Sequence, residues 1–281
     1  MTRHLSRRRV LVAGGAALAA EALPGLGRTA AAGTHAAGPS SDLPAAFPQQ
    51  DPELVRETVG ASHGRFDRVR ELVEAQPALA KATWDWGFGD WESALGAAAH
   101  TGQREIALFL LAHGARLDVF AAAMLGWLPA VRALIEAHPE LVRTPGPHSI
   151  PLLSHAEAGG EAARGVRDYL ESLEVDAGPP DEPLPAGARE ALLGVYAAEG
   201  RELEVEIGEQ RDRLTLGIGP GFPRGLAHRG GLVFQVAGAE AVTVRFEVGE
   251  PGGHVRLTLA DGPVRLVAAR ARWRTRRRDS D

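Results

Sequence analysis

The sequence contains no cysteine in 281 residues. That excludes disulfides, thiolate metal ligands, a cysteine nucleophile and a lipid anchor on an N-terminal cysteine. Lysine is nearly absent too: Lys81 stands alone among 31 basic residues, the rest being arginine, a usage expected of GC-rich coding rather than of arginine chemistry. Several catalytic signatures are missing, namely His-Glu-x-x-His, Gly-x-Ser-x-Gly and a phosphate-binding P-loop. VLVAGGAALAAE (10–21) superficially suggests a dinucleotide fingerprint but lacks its third spaced glycine. The apolar run Val10–Ala20 falls short of the ~20 residues a spanning helix needs, so no stable membrane span is expected. Ten histidines are present, yet no pair has standard ligand spacing with a third ligand. His63 and His100 stand just before turn glycines, where imidazoles are expected to bond backbone, and His148 reads as an exposed loop residue. The expectation is therefore no catalytic residue, no metal and no cofactor.

Apolar residues make up 44%, enough for a core, and the net charge is -5. The N-terminus has a basic segment, His4–Arg9, then the apolar run, then a Gly/Pro/Ala stretch ending at Ala30–Ala32. This is the three-part plan of an export signal over residues 1–32. Ser6-Arg7-Arg8-Arg9-Val10-Leu11 resembles the twin-arginine motif, which implies export after cleavage near Ala32, with Arg7 and Arg8 as the signal residues. Five arginines and one glutamate would leave with the leader, so the mature body is more acidic still and nucleic acid is not expected as a partner. Residues 33–50, rich in Ala, Pro, Gly and Ser, read as a linker.

From Asp51 the pattern turns helical. Segments 61–77, 98–115, 121–139 and 154–172 each set small residues, then a glycine (Gly64, Gly102, Gly126, Gly159), then an apolar run. Asp67, Glu105 and Pro129 follow three residues after the first three glycines and suit a helix first turn. Each unit reads as helix, glycine turn, helix; such a hairpin cannot bury its apolar face alone and needs stacked neighbours. Ser93-Ala94-Leu95-Gly96-Ala97-Ala98-Ala99, with Gly102, Ile106-Ala107, Leu110-Leu111, Gly114-Ala115 and Asp118, resembles one ankyrin repeat. WDWGFGDWE (84–92) and Thr144-Pro145-Gly146-Pro147-His148 resemble elements of a bacterial ankyrin-repeat subfamily of unassigned role. The resemblance implies about four degenerate repeats over 51–176, in a solenoid with a β-finger at the tryptophan-rich segment.

Residues 177–188 form a proline-rich linker. Beyond it ELEVEI (202–207), RLTLGI (213–218), LVFQV (232–236), AVTVRFEV (241–248), HVRLTL (254–259) and VRLVA (264–268) alternate apolar and polar residues. This predicts an antiparallel barrel or sandwich of six to eight strands over 189–270, giving an α+β chain overall. Leu192-Leu193-Gly194-Val195-Tyr196 and the strand after it resemble the start of the small β domains appended to secreted β-lactamase-like peptidases, but the Ser-x-x-Lys of those enzymes is absent: Ala78 precedes Lys81 by three. Phe222, Phe234 and Phe246 are expected to plug the barrel. Residues 271–281 are a basic tail.

Three of the five tryptophans fall in WDWGFGDWE. Extended-chain parity predicts Trp84, Trp86 and Phe88 on one face and a turn at Asp90-Trp91. Four rings of roughly 150–250 Å² each cannot all stay wet, so some are expected in the core and one or two at a partner. The expected function is an exported, non-catalytic scaffold for a protein partner, bound through Trp84, Asp85, Trp86, Phe88, Asp90, Trp91 and concave helices. Alternatives are lipid or glycan binding by the β domain and an unrecognised hydrolase. Mature protein from the envelope or medium is expected to begin after Ala32 by N-terminal sequencing, and Arg7→Lys with Arg8→Lys to leave the precursor inside. Export of that double variant at the normal rate would refute the twin-arginine assignment.

Overall fold

Helix starts are written in single side chains. Asp51 Oδ1 accepts from Glu53 N at 2.9 Å with Pro52 in the first turn. Ser93 Oγ accepts from Gly96 N at 2.9 Å, and Asp118 Oδ1 from Ala121 N at 2.8 Å. Each satisfies an amide that a helix N-terminus would leave bare. The computed structural model describes residues 45–173, 181–219, 222–249 and 255–271, all within one compact unit, Pro44–Asp281. Arg7, Arg8, the cleavage point at Ala32, residues 33–44 of the first linker, residues 177–180 of the second and the 272–281 tail lie outside the described residues.

The chain is α+β: a helical region followed by a closed eight-stranded antiparallel barrel. Helices α1 (Pro52–Ala61), α2 (Phe66–Ala75), α3 (Ala94–His100), α4 (Arg104–Ala112), α5 (Val119–Met124), α6 (Leu128–Ala137), α7 (Leu152–Ala158) and α8 (Arg164–Glu171) follow one another in pairs. None exceeds 10 residues, below the ~12–15 at which an isolated helix becomes even marginal, so packing creates them. α1 packs on α3, α3 on α5 and α5 on α7; α2 packs on α4 and α6 on α8. The first helices meet through alanines (Ala97–Ala99, Ala121–Ala123), all fully buried, which lets their axes approach closely. The second helices supply larger groups such as Ile106, Leu110, Val131 and Val166.

Gly102 and Gly126, at φ +71° and +73°, make the tight turn within their pairs. A Cβ on Gly102 would lie 2.4 Å from Ala158 O, and one on Gly126 2.0 Å from Ala162 O, so both positions also need glycine for close approach. In the fourth pair the left-handed glycine is Gly160, not Gly159; a 3-10 turn, Gly160–Ala163, takes up the extra residues before α8.

A short hairpin, β1 (Thr83–Asp85) and β2 (Trp91–Ser93), joins α2 to α3. Its tip corrects the sequence expectation. The strands end at Asp85, and Gly87, Phe88 and Gly89 turn at φ +109°, +59° and +79°, so the turn is Gly87–Gly89 and Trp91 stands on a strand. Parity stops where the extended backbone stops, so the rings separate: Trp84 and Trp86 pack on the helical core and Phe88 on the barrel core.

α9 (Ala188–Leu192) leads into β3 (Gly194–Ala198), β4 (Glu204–Gln210), β5 (Arg213–Ile218), β6 (Arg224–His228), β7 (Val233–Val236), β8 (Ala239–Val248), β9 (Val255–Asp261) and β10 (Val264–Arg270). Each pairs with the next, and β10 closes on β3. The six alternating segments are β4, β5 and β7–β10; β3 and β6 are added. Val205, Ile207, Leu214, Leu216, Val244 and Leu257 point inward. Tyr196 and Phe234 each pack on Phe246, with ring centroids 5.9 and 5.6 Å apart, and fill the interior. Phe222 is not among them: it precedes β6 and is 78% exposed. No helix among the described residues is long and apolar enough to cross a membrane.

Candidate metal centre

In the β1–β2 register Trp84 lies opposite Glu92, and Asp85 opposite Trp91. The pleat turns Glu92 toward the helices and leaves Trp91 62% exposed. Glu92 is 0% exposed. A carboxylate so placed must find donors or lose its charge, and Glu92 finds four side chains. Trp86 Nε1 donates to its Oε2 at 2.7 Å, and His100 Nε2 stands 2.9 Å from its Oε1. His148 Nε2 is 3.4 Å from Oε1 and His63 Nε2 is 3.5 Å from Oε2.

Local structure explains each approach. His63 follows the end of α1, and its Nδ1 lies 3.2 and 3.3 Å from the carbonyls of Val59 and Gly60. That is the backbone bond expected from sequence, and it leaves Nε2 facing inward. His100 ends α3; side chains lean toward a helix N-terminus, which brings it back to Glu92, two residues before α3 begins. His148 stands at φ +60° in a 3-10 turn, Pro147–Ser149, and is held there by Asp90: Asp90 Oδ1 accepts from His148 N at 2.9 Å, and Oδ2 lies 2.7 Å from Nδ1. The ring centroids are 5.0 Å apart for His63 and His100 and 5.5 Å for His100 and His148.

His63, Glu92, His100 and His148 thus offer one ligand atom each, all within 4.8 Å of one another. Four ligands ~2.1 Å from a central ion stand about 3.4 Å apart in a tetrahedron. The separations of the ligand atoms, 2.9, 3.4 and 3.5 Å from Glu92 and none above 4.8 Å, bracket that edge. His63 and His148 also have Nδ1 fixed by a carbonyl or carboxylate while Nε2 converges, the arrangement that orients metal-binding imidazoles.

Burial works against charge on Glu92, but hydrogen bonds from His100 and His148 and the nearby His148 and His63 outweigh it and hold its pKa at about 2. Burial likewise opposes charge on His148, yet Asp90 and Glu92 hold it up at about 9. His63 is pushed below its ordinary value by burial. His155, 0% exposed, is pushed down to about 4 by burial; its Nδ1 meets Pro151 O at 3.0 Å and its Nε2 has no partner.

The barrel reaches the same seam. Arg224 NH2 lies 3.1 Å from Asp90 Oδ2 and donates to Gly87 O at 3.0 Å, with its guanidinium over the Phe88 ring. Ser149 Oγ bonds Glu240 and accepts from Gly238 N. A cavity of about 300 Å³ lies between the two parts, with His63, Trp86 and His148 on one side and Phe222, Pro223 and Arg224 on the other.

The residues singled out in the sequence therefore divide. Asp85 caps the hairpin tip through Gly87 N and Gly89 N; Asp90 joins finger, turn and barrel; Trp84, Trp86 and Phe88 are half-buried against the two cores. Only Trp91 of the six is exposed and apolar. Glu92 and the convergence of three histidines were missed, because their separations of 29, 8 and 56 residues follow no local ligand pattern. The available signal was His63 and His100, each at the end of a first helix, beside an acid leading into α3. No protein-family model and no curated protein matches this chain.

Asp90→Ala is expected to cost about 3–5 kcal/mol, since it leaves Arg224 charged and nearly buried without its carboxylate. Urea unfolding measures this, and a loss below about 1 kcal/mol would show that the seam is held by other contacts.

Proposed function

We propose that this protein binds a divalent first-row transition metal through His63, His100, His148 and Glu92, and presents it to a small molecule in the adjoining cavity. The convergence of three imidazole Nε2 atoms on one buried carboxylate, two of them fixed from behind through Nδ1, carries this reading. Three nitrogens and an oxygen suit Zn(II), Fe(II), Co(II), Ni(II) or Cu(II) better than calcium or magnesium, which prefer all-oxygen cages. His63 and His148 line the cavity, so a small molecule bound there would reach the ion as a fifth ligand beside the four protein donors. This reading takes the place of the metal-free expectation from sequence. With the leader removed, the site would work outside the cytoplasm.

Metal-stripped protein is expected to take up one Zn(II) per chain. Saturation at a hundredfold excess over Kd should raise stability by about 2.7 kcal/mol. His63→Ala, at a partly exposed position, should weaken uptake tenfold or more while the metal-free protein keeps its helicity. No uptake at micromolar zinc, by equilibrium dialysis with elemental analysis, overturns the assignment.

A second reading has its own support. The packing of α1 on α3, α3 on α5 and α5 on α7 favours helix pairs that are degenerate ankyrin-type repeats, and exposed Trp91 on the finger favours a protein-binding role. On this reading Trp91→Ala lowers capture of a partner from envelope extract without changing stability by more than about 0.5 kcal/mol. Equal capture by variant and parent removes Trp91 as an anchor.

A further inference from the structure

Resting on the metal-site reading above, we infer that the cavity takes a small planar monoanion: an aromatic or cyclic carboxylate whose oxygens meet the metal and whose ring lies against Trp86, Phe222 and Pro223. Three observations point to it.

The first is size. A half-open cavity of about 300 Å³ is at the lower end of the ~300–1,000 Å³ found for small-molecule sites, room for one small ring and its substituent.

The second is charge. Three neutral imidazoles and one carboxylate around a divalent ion leave one net positive charge. Arg224 does not add to it, because Asp90 lies 3.1 Å away and cancels it. A monoanion neutralises the centre, a neutral donor leaves it charged, and a dianion overshoots.

The third is the wall. Trp86 is fixed at its nitrogen by Glu92, so its ring cannot swing away. Phe222 meets Trp86 edge-on, with centroids 5.9 Å apart, and stays 78% exposed. An exposed phenylalanine beside a fixed indole and a proline is a lip waiting for a flat apolar group, since such rings gain from stacking and from burial. Phe222 has no part in the barrel core; its ring contact is with Trp86 across the cavity mouth.

The test uses the full chain loaded with Co(II), whose visible absorption responds to a new ligand. Benzoate, acetate and benzyl alcohol are titrated in turn. Benzoate is expected to change the spectrum at roughly tenfold lower concentration than acetate, a ratio equal to about 1.4 kcal/mol, and benzyl alcohol to be weaker than both. Phe222→Ala should bring benzoate to the level of acetate and leave the ligand-free cobalt spectrum unchanged. Equal affinity for benzoate and acetate overturns the ring preference, and benzyl alcohol matching benzoate overturns the anion preference. A chain that takes up no cobalt defeats the metal reading itself, a different result from a cobalt protein indifferent to the ring.

Discussion

An ionised carboxylate cut off from water loses several kcal/mol of hydration, and only close donors recover it. Glu92 is in that position, and much of the seam is arranged around it. Trp86 turns its nitrogen inward, α3 ends on His100, His63 just beyond α1 turns its ring inward, and the 147–149 turn accepts left-handed backbone at His148 and Ser149. Asp90, two residues away, performs a parallel task outward, tying His148 to the barrel through Arg224. The hairpin thus carries two acids of different reach: one gathers the helical region and the other joins it to the barrel.

That arrangement accounts for the concentration of large rings. A finger that must insert between two packed bodies needs apolar surface on both sides. Trp84 and Trp86 serve the helical core and Phe88 the barrel core. The barrel meets the finger at Phe88 and Asp90, and Trp91 is the finger's most exposed ring.

Much of the architecture was legible because it obeys short-range periodicity. The helical first turns at Asp67, Glu105 and Pro129, the turn glycines Gly102 and Gly126, and six alternating strands are all local signals. β6 escaped because Arg224–His228 does not alternate cleanly, and β3 because it carries two alanines and a glycine. The finger was misjudged for a physical reason: parity holds only while the backbone stays extended, and Gly87-Phe88-Gly89 leaves that region at all three residues. The centre itself was illegible. His63, Glu92, His100 and His148 come from a helix end, a strand, another helix end and a loop, and only the stacking of the helix pairs brings them together. Their local surroundings were read in part: His63 does bond backbone and His148 does sit in a turn, but His100 meets Glu92 rather than backbone and His148 is half-buried against Asp90.

A charged cluster of this kind is a poor device for stability alone. Replacing buried ionic groups with well-packed apolar residues is often neutral or stabilising by about 1–4 kcal/mol, and the surrounding helices already pack alanine against alanine without difficulty. Joining finger to barrel is done by Asp90, Arg224, Gly87 and Phe88. Nothing in that joint calls for Glu92 to be buried completely, for three imidazoles to face it, or for two of those imidazoles to be fixed from behind. Nor does it call for a cavity to touch His63 and His148. The surplus of convergent donors over what the joint requires is the argument for the metal site proposed at this seam.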